Sequence, residues 1–404
     1  MSRLDPLAYL GDQINEFRVK GTYQRLRELH GPCEPISHFD GKEVINLASN
    51  NYLGLANHPK LKEAAIEAIR KYGAGTGAVR TISGTLDIHM ELERRIAAFK
   101  HVEACVVFQS GFTANAGAVS AILGKDDHII SDALNHASII DGCRLSRAKI
   151  HVFPHADASG AEAKLAALDG VPGRKLLITD GVFSMDGDIG PLPALVELAE
   201  KYDAIMMIDD AHSSGVLGRN GRGTVDHFGL HGRVDIQVGT LSKAIGVLGG
   251  YVCGTKAFID YLCHRARPFL FSTSHPPAVT AACLAAFDIL EAEPERIETL
   301  WANTRYFKEE LAKLGFDTGR SQTPITPIMV GEAAAAHAFS NALFDEGLFA
   351  TGIGFPTVPE GKARIRTIVT ATHTREQLDR ALEILARVAK RQGILTAQAF
   401  NRNP

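Results

Sequence analysis

Lys243 stands in Gly239-Thr240-Leu241-Ser242-Lys243-Ala244, just past the short run Val234 to Val238. An ε-amine does covalent chemistry with aldehydes once it loses its proton, and small neighbours let a flat group lie close to the backbone. The segment therefore invites a Schiff-base reading. A lone Ser-Lys pair is more often a solvated surface lysine, and it is a second cluster that changes the balance. Upstream, Ala204-Ile205-Met206-Met207-Ile208 reads as a buried strand running straight into Asp209-Asp210-Ala211-His212. A carboxylate at the C-terminal end of a strand sits where open α/β sheets bind ligands. Taken singly, D-x-x-H is weak, because an acid after a strand is commonly a helix cap or loop residue.

An acid, a nearby histidine and a downstream lysine are the parts that pyridoxal phosphate (PLP) needs. The acid keeps the ring nitrogen protonated so that the ring can draw in electrons, and the lysine tethers the aldehyde. A phosphate site is offered by Ser110-Gly111-Phe112-Thr113, which follows the strand-like Cys105 to Gln109 and opens a helix. Backbone N–H groups and the helix dipole favour an anion there, although an ordinary capped helix start fits equally well and the G-x-x-x-x-G-K pattern is missing. His136, after Ile129-Ile130, also falls at the sheet's C-terminal edge, where its flat ring could stack on a pyridine; most histidines are structural or solvated. Ser184, in Phe183-Ser184-Met185-Asp186-Gly187-Asp188, could donate to the cofactor's phenolic oxygen or simply cap a turn. His136, His212 and the carboxylates lack metal-ligand spacing such as H-E-x-x-H, so no metal is expected.

These segments need a scaffold, and the chain supplies one. At 404 residues, with 45% hydrophobic and 22% charged residues, it is long enough for two or three domains with a large core. A formal net charge of -3 gives no basic field, so nucleic acid is not expected as a partner. The six cysteines are far apart and read as reduced, mostly buried thiols. Met1-Ser2-Arg3-Leu4-Asp5-Pro6 lacks the apolar core of a secretory signal and no stretch reaches the length of a membrane span; a cytoplasmic protein with no membrane association is the expectation.

Residues 1–50 read as an N-terminal arm, with Phe17 to Leu29 helix-compatible and Val44 to Leu47 strand-like. Lys60 to Tyr72 and His89 to Phe99 carry apolar residues at helical spacing, separated by the glycine-rich Gly73 to Gly77. Then strands and helices alternate: Cys105 to Gln109, Ile129-Ile130, Ile150 to Phe153, Leu176 to Thr179, Ile205 to Ile208 and Ile236 to Val238 as strands, with helical Asn115 to Leu123 and Pro191 to Lys201 among them. That alternation predicts an α/β domain over residues 51–285 with a mostly parallel sheet covered on both faces. Residues 286–404 predict a smaller α+β C-terminal domain, with helices over Arg296 to Leu314, Glu332 to Glu346 and Thr374 to Arg391 and strands at Ile328 to Val330 and Arg364 to Val369.

Read together, Asn50-Asn51-Tyr52-Leu53-Gly54, Ser83-Gly84-Thr85, Asn135-His136-Ala137-Ser138, Ser184-Met185-Asp186-Gly187, Asp209-Asp210-Ala211-His212, Gly239-Thr240-Leu241-Ser242-Lys243 and Arg267-Pro268-Phe269-Leu270-Phe271-Ser272-Thr273 resemble the α-oxoamine synthases, from about residue 15 to 392. The resemblance implies a fold-type I PLP transferase that condenses an amino acid with an acyl-CoA. It implies that Lys243 tethers the cofactor and shuttles a proton, that Asp209 pairs with the pyridine nitrogen, that His136 stacks on the ring, and that His212 and Ser184 contact the phenolic oxygen. It further implies that phosphate is held by Ser110, the backbone of Gly111, Phe112 and Thr113, Thr240, and Ser272 or Thr273 of a dimer partner, in a homodimer with shared sites. Arg366, with Asn50 beside it, matches the family arginine for the amino-acid carboxylate, a group that a guanidinium fork suits.

Within the family, Ser131-Asp132-Ala133-Leu134-Asn135-His136-Ala137-Ser138 and Phe183-Ser184-Met185-Asp186-Gly187 look most like the glycine C-acetyltransferase branch. The expected reaction is then glycine with acetyl-CoA, giving 2-amino-3-oxobutyrate and CoA, or its reverse in threonine breakdown. The alternative is the 8-amino-7-oxononanoate synthase branch of biotin biosynthesis, which joins L-alanine to a pimeloyl thioester with loss of carbon dioxide; Asp186 to Ile189 and Gly215 to Gly218 look as much like it, while Gly84-Thr85 departs from its usual G-N. A broad acyl-CoA specificity is a third possibility. Thr22, Val79 and Thr81 stand where succinate-using relatives recognise a second carboxylate, so a succinyl group would be buried unpaired.

Overall fold

The computed structural model describes residues 5–395; the first four residues of the expected arm and residues 396–404 of the expected C-terminal domain lie outside the described residues. The chain forms two compact units, Asn50–Ser184 with Asp188–Leu300, and Met1–Ser49 with Met185–Gly187 and Trp301–Pro404. Two expectations change. The arm is not separate, because Lys42–Asn46 pairs in parallel with Leu348–Phe349, Ile45 opposite Leu348. The second boundary falls inside helix Glu295–Lys313 rather than at 285, since Pro277–Ala292 packs against Pro59–Tyr72 and Asp87–Lys100 of the larger unit.

The larger unit is built on a seven-stranded sheet. Its spatial order is Ala104–Phe108, Gly250–Gly254, Ile236–Thr240, Ile205–Asp209, Lys175–Asp180, His128–Asp132 and Lys149–Phe153. The last five run parallel, and Gly250–Gly254 is antiparallel to both neighbours. Central strands such as Ile205–Asp209 are apolar without alternation because both faces are covered. Met207 joins Val106, Ile178 and Val238 in one core layer, while Met206 and Ile208 join Leu177 and Ile130 in the other.

Gly250–Gly254 has no counterpart in the expected strands; with glycine at both ends, its short Tyr251-Val252-Cys253 run carries little periodicity. The glycine has a reason. A Cβ on Gly250 would lie 2.3 Å from the carbonyl oxygen of Ser110, so this strand can press against the turn that opens helix Gly111–Ile122 only without a side chain.

In the smaller unit, Ile325–Gly331 and Thr351–Ile353 flank Ala363–Ile368 antiparallel. Helices Ala333–Asp345 and Arg375–Arg391 close the core, the latter burying Leu378, Leu382 and Leu385 at helical spacing. Thr374 and Gln377 cap its first turn reciprocally. The helix expected over Phe17 to Leu29 instead runs Tyr9–Val19 and buries none of its residues. Gly21, at φ 66°, follows its end in a left-handed conformation that a helix cannot continue through.

Candidate active site

The C-terminal ends of the parallel strands open into a cavity of about 190 Å³ lined by Ser110, Gly111, Phe112, His136, Ser138, Asp180, Ser184, Asp209, Ala211, His212, Thr240, Ser242 and Lys243. Nine of these were expected from the sequence. Lys243 lies half-buried in the loop between Ile236–Thr240 and Gly250–Gly254. That loop is closed at its base, where the N–H of Leu241 donates to Gly249 and that of Val247 to Leu241, both at 2.9 Å. Leu241, Ala244 and Ile245 are buried and anchor it.

Asp209 ends its strand 4% exposed. Its Oδ1 accepts the N–H of Ala211 at 2.8 Å, and its Oδ2 accepts the side-chain amide of Asn115 at 2.6 Å. The same amide donates to Ser138 Oγ at 2.9 Å, and Ser138 Oγ lies 2.7 Å from His136 Nδ1. One polar chain thus runs from the strand-end carboxylate to the histidine ring. Desolvation holds the His136 pKa below its usual value although Asp209 pulls the other way, so the ring is neutral near pH 7 and suited to stacking. Asp180, which accepts the His136 N–H at 2.8 Å, is buried; burial, and then the charge of Asp209, pushes its carboxyl well above the usual range. His212 is oriented by Tyr52, whose hydroxyl lies 2.8 Å from Nδ1.

At the other end of the cavity, Ser110 and Thr113 cap helix Gly111–Ile122 reciprocally: Thr113 N–H donates to Ser110 Oγ at 3.1 Å and Ser110 N–H to Thr113 Oγ1 at 3.0 Å. This spends one of the three N–H groups expected to face a phosphate. Those of Gly111 and Phe112 belong to the first turn, where no intrahelical acceptor exists. Thr240 Oγ1 donates to Gly249 and lies 2.8 Å from Ser242 Oγ.

Ser272 and Thr273 do not line the cavity in their own chain. The Thr273 carbonyl accepts from Gln109 at 2.7 Å, and Thr273 bridges to Val79, just past the glycine-rich Gly73 to Gly77. Asn50 begins the larger unit, where its carbonyl accepts the N–H of Tyr52. Arg366 belongs to the smaller unit, on strand Ala363–Ile368 between Pro327 and Thr351.

Asn115, Ser138, Asp180, Ser242 and Tyr52 were not singled out as site residues from the sequence. Asn115 carried a usable signal: an amide in the middle of Gly111–Ile122, otherwise nearly all small and apolar, has to find buried partners. Asp180 looked like any strand end. Among the described residues no cluster of His, Cys, Asp and Glu could hold a metal ion, and no helix is long and apolar enough to cross a membrane.

An amine, a strand-end carboxylate, a flat neutral ring, several hydroxyls and a helix N-terminus around one small cavity form the donor set that PLP requires. Comparison with known proteins agrees. The model of the aminotransferase class I and II family matches residues 42–385. The chain is 62% identical to the 8-amino-7-oxononanoate synthase of Symbiobacterium thermophilum over 387 residues, covering 96% of this chain and 99% of that one. It is 58% identical to that of Thermoanaerobacter pseudethanolicus, covering 98% and 100%. A solved serine palmitoyltransferase from S. paucimobilis with bound PLP and myriocin superposes with a TM-score of 0.92 at 32% identity, covering 97% and 100%. The chain belongs to the aminotransferase class I and II family and, within it, to the α-oxoamine synthases, PLP-dependent acyltransferases that act on an amino acid and an acyl thioester.

Proposed function

We propose that this protein joins L-alanine to a pimeloyl thioester, releasing carbon dioxide and the thiol and forming 8-amino-7-oxononanoate. The observation that carries this reading is the identity of 56–62% along nearly the whole chain to relatives bearing that name. The expectation of glycine and acetyl-CoA finds no support among those relatives. It had rested on short motifs around His136 and Ser184, which surround the cofactor rather than the acyl chain, so they carry little information about the substrate.

When bound, PLP supplies an electron sink that stabilises negative charge at the amino acid's α-carbon. Lys243 would tether it, and its ε-amine, beside the substrate's α-carbon, would take a proton from that carbon and return one to it. Asp209 keeps the proton on the pyridine nitrogen, its own position fixed by Asn115. His136 covers one ring face; Ser184 and His212 meet the phenolic oxygen. Ser110, Gly111, Phe112 and Thr240 would hold the phosphate, Thr113 fixing that turn through its reciprocal cap with Ser110, with Ser272 or Thr273 of a second copy completing the cup in a homodimer. Arg366 grips the α-carboxylate as a bidentate fork, with Asn50 as a further partner.

The deciding experiment pairs alanine and glycine with pimeloyl-CoA, acetyl-CoA and succinyl-CoA and follows thiol and carbon dioxide release together. Alanine with pimeloyl-CoA should lead in kcat/KM by roughly tenfold or more, a plausible discrimination for a pocket shaped to one methyl and one chain length. One carbon dioxide should appear per thiol. Glycine with acetyl-CoA as the best pair would return the assignment to the other branch.

A further inference from the structure

Three neighbouring parallel strands, Lys175–Asp180, His128–Asp132 and Lys149–Phe153, each end in a loop at the cavity side of the sheet. The first loop carries Ser184 and the second carries His136. The third carries His155, which does not line the cavity. Its ring stands between two carboxylates, with Nδ1 3.0 Å from Asp132 Oδ1 and Nε2 2.8 Å from Asp188 Oδ2.

Each carboxylate belongs to one of the other two loops. Asp132 accepts the N–H of Leu134 at 2.8 Å on one oxygen and the N–H of Ala156 at 2.7 Å on the other. The turn leading to His136 and the backbone following His155 therefore hang on one side chain. Asp188 closes the Ser184 loop: its carbonyl accepts the Phe183 N–H at 3.1 Å, beside the bridge of Val182 with Ile189. The Phe183 ring meets His155 edge to face at 4.3 Å between centroids. Ala156 takes φ 54° to reach Asp132, a left-handed conformation that disfavours any residue with a Cβ.

Two acceptors on opposite edges of an imidazole require two N–H donors, and only the imidazolium has both. Burial opposes that charge, but the bonds to Asp132 and Asp188 and their negative charges outweigh it and lift the pKa to about 10. Removing the bridge would leave two buried carboxylates facing one another across the gap between the loops.

We propose that His155 is a positioning residue: as an imidazolium bridging Asp132 and Asp188, it fixes the spacing of the His136 and Ser184 loops and so sets the ring-face and phenolic-oxygen contacts together. This rests on the reading above, in which both residues touch PLP. The test uses the PLP-loaded enzyme with His155→Gln, which keeps one donor and loses the charge, and Asp188→Asn, which keeps the Asp132 bond and the fold.

The expected result is at least a tenfold loss of kcat in His155→Gln, as small misplacements of catalytic contacts produce. The KM for alanine should stay within about twofold, since no part of the bridge belongs to the carboxylate site. The visible circular dichroism of bound PLP, which reports how the ring is held, should fall in the same variant. Asp188→Asn should shift both in the same direction by a smaller amount, and it decides the matter if His155→Gln does not fold. Unchanged kcat and dichroism in a folded variant, or a loss of activity matched only by a loss of folded protein, would overturn the bridge alone. An unmodified protein that binds no PLP would overturn the site reading and the bridge together.

Discussion

Asp209 shows how a single residue type becomes a functional group through its partners. A carboxylate at a strand end is a common loop feature, yet here both oxygens are occupied, one by the Ala211 N–H and one by the Asn115 amide, at a site 4% exposed. Asn115 is the more informative partner, because it is fully buried in a helix of small residues and ties Asp209 to Ser138 and from there to His136. Replacing it with leucine of similar bulk leaves a buried carboxylate oxygen and a buried hydroxyl without their donor. Asn115→Leu is expected to cost about 1–3 kcal/mol of stability, the penalty for an unsatisfied buried polar group. Exchange of the alanine α-proton should slow as well, since Asp209 loses the contact that orients it. Urea unfolding and proton exchange by NMR read the two effects; a variant as stable as the parent would show that Asn115 is not what holds the carboxylate. That Lys243, Asp209, His136, Ser184 and His212 would gather at one place was legible in the sequence, because covalent and acid–base chemistry restricts residue types and their runs all follow strand ends. Asn115 and Tyr52 were not, since their roles exist only through partners distant in the chain.

The elements that place these residues were legible for a different reason. Strands buried on both faces leave continuous apolar runs, and six of the seven could be read from those runs and their alternation with helices. Gly250–Gly254 escaped because close backbone approach to Ser110 required glycine where periodicity would have required apolar side chains. The electrostatic ties between loops were equally hidden, since His155 is one of sixteen histidines and its two carboxylates stand 23 and 33 residues away in sequence. Those ties make stability depend on pH in a definite direction. The His155 pKa rises from 6.5 to about 10 on folding, so the folded chain holds this proton more tightly. The contribution is complete below about pH 6.5 and is lost as pH climbs through about 10. The gap in urea midpoint between the parent and His155→Gln should therefore be wide at about pH 7 and nearly closed above about pH 10. A gap that persists undiminished at the alkaline end would mean that the bridge is held by shape rather than by charge.

At the scale of the molecule, the proposed phosphate cup calls on residues that stand outside the cavity of their own chain. Gly111, Phe112 and Thr240 line the cavity, whereas Ser272 and Thr273 stand outside it, held against Gln109 and Val79 of their own chain. Phe271 beside them is 70% exposed, as is much of the apolar surface of Ile82, at 82%. Large apolar side chains at that exposure, next to the glycine-rich segment, are what a second copy of the chain would cover. The proposal of a shared-site homodimer makes a sharp genetic prediction. Lys243→Ala should lose the tether and the proton carrier together, leaving almost no turnover and no long-wavelength absorbance from covalently held PLP. A chain with both Ser272→Ala and Thr273→Val should lose phosphate affinity and require more added PLP. If each site takes Lys243 from one copy and Ser272 or Thr273 from the other, mixing the two proteins under exchange conditions, at a PLP concentration too low to load the double variant, regenerates some sites with a full set of residues. In a heterodimer, the site that carries an intact Lys243 lies on the double-mutant chain and receives unmodified Ser272 and Thr273 from the Lys243→Ala chain. About half of the heterodimer's sites should then be restored, as expected for two sites related by twofold symmetry. Activity that appears on mixing, scales with the heterodimer fraction and is absent from each parent alone is the expected outcome. No recovery despite demonstrated exchange of subunits, or full activity in a protein that sediments as a monomer, would place the whole site within a single chain.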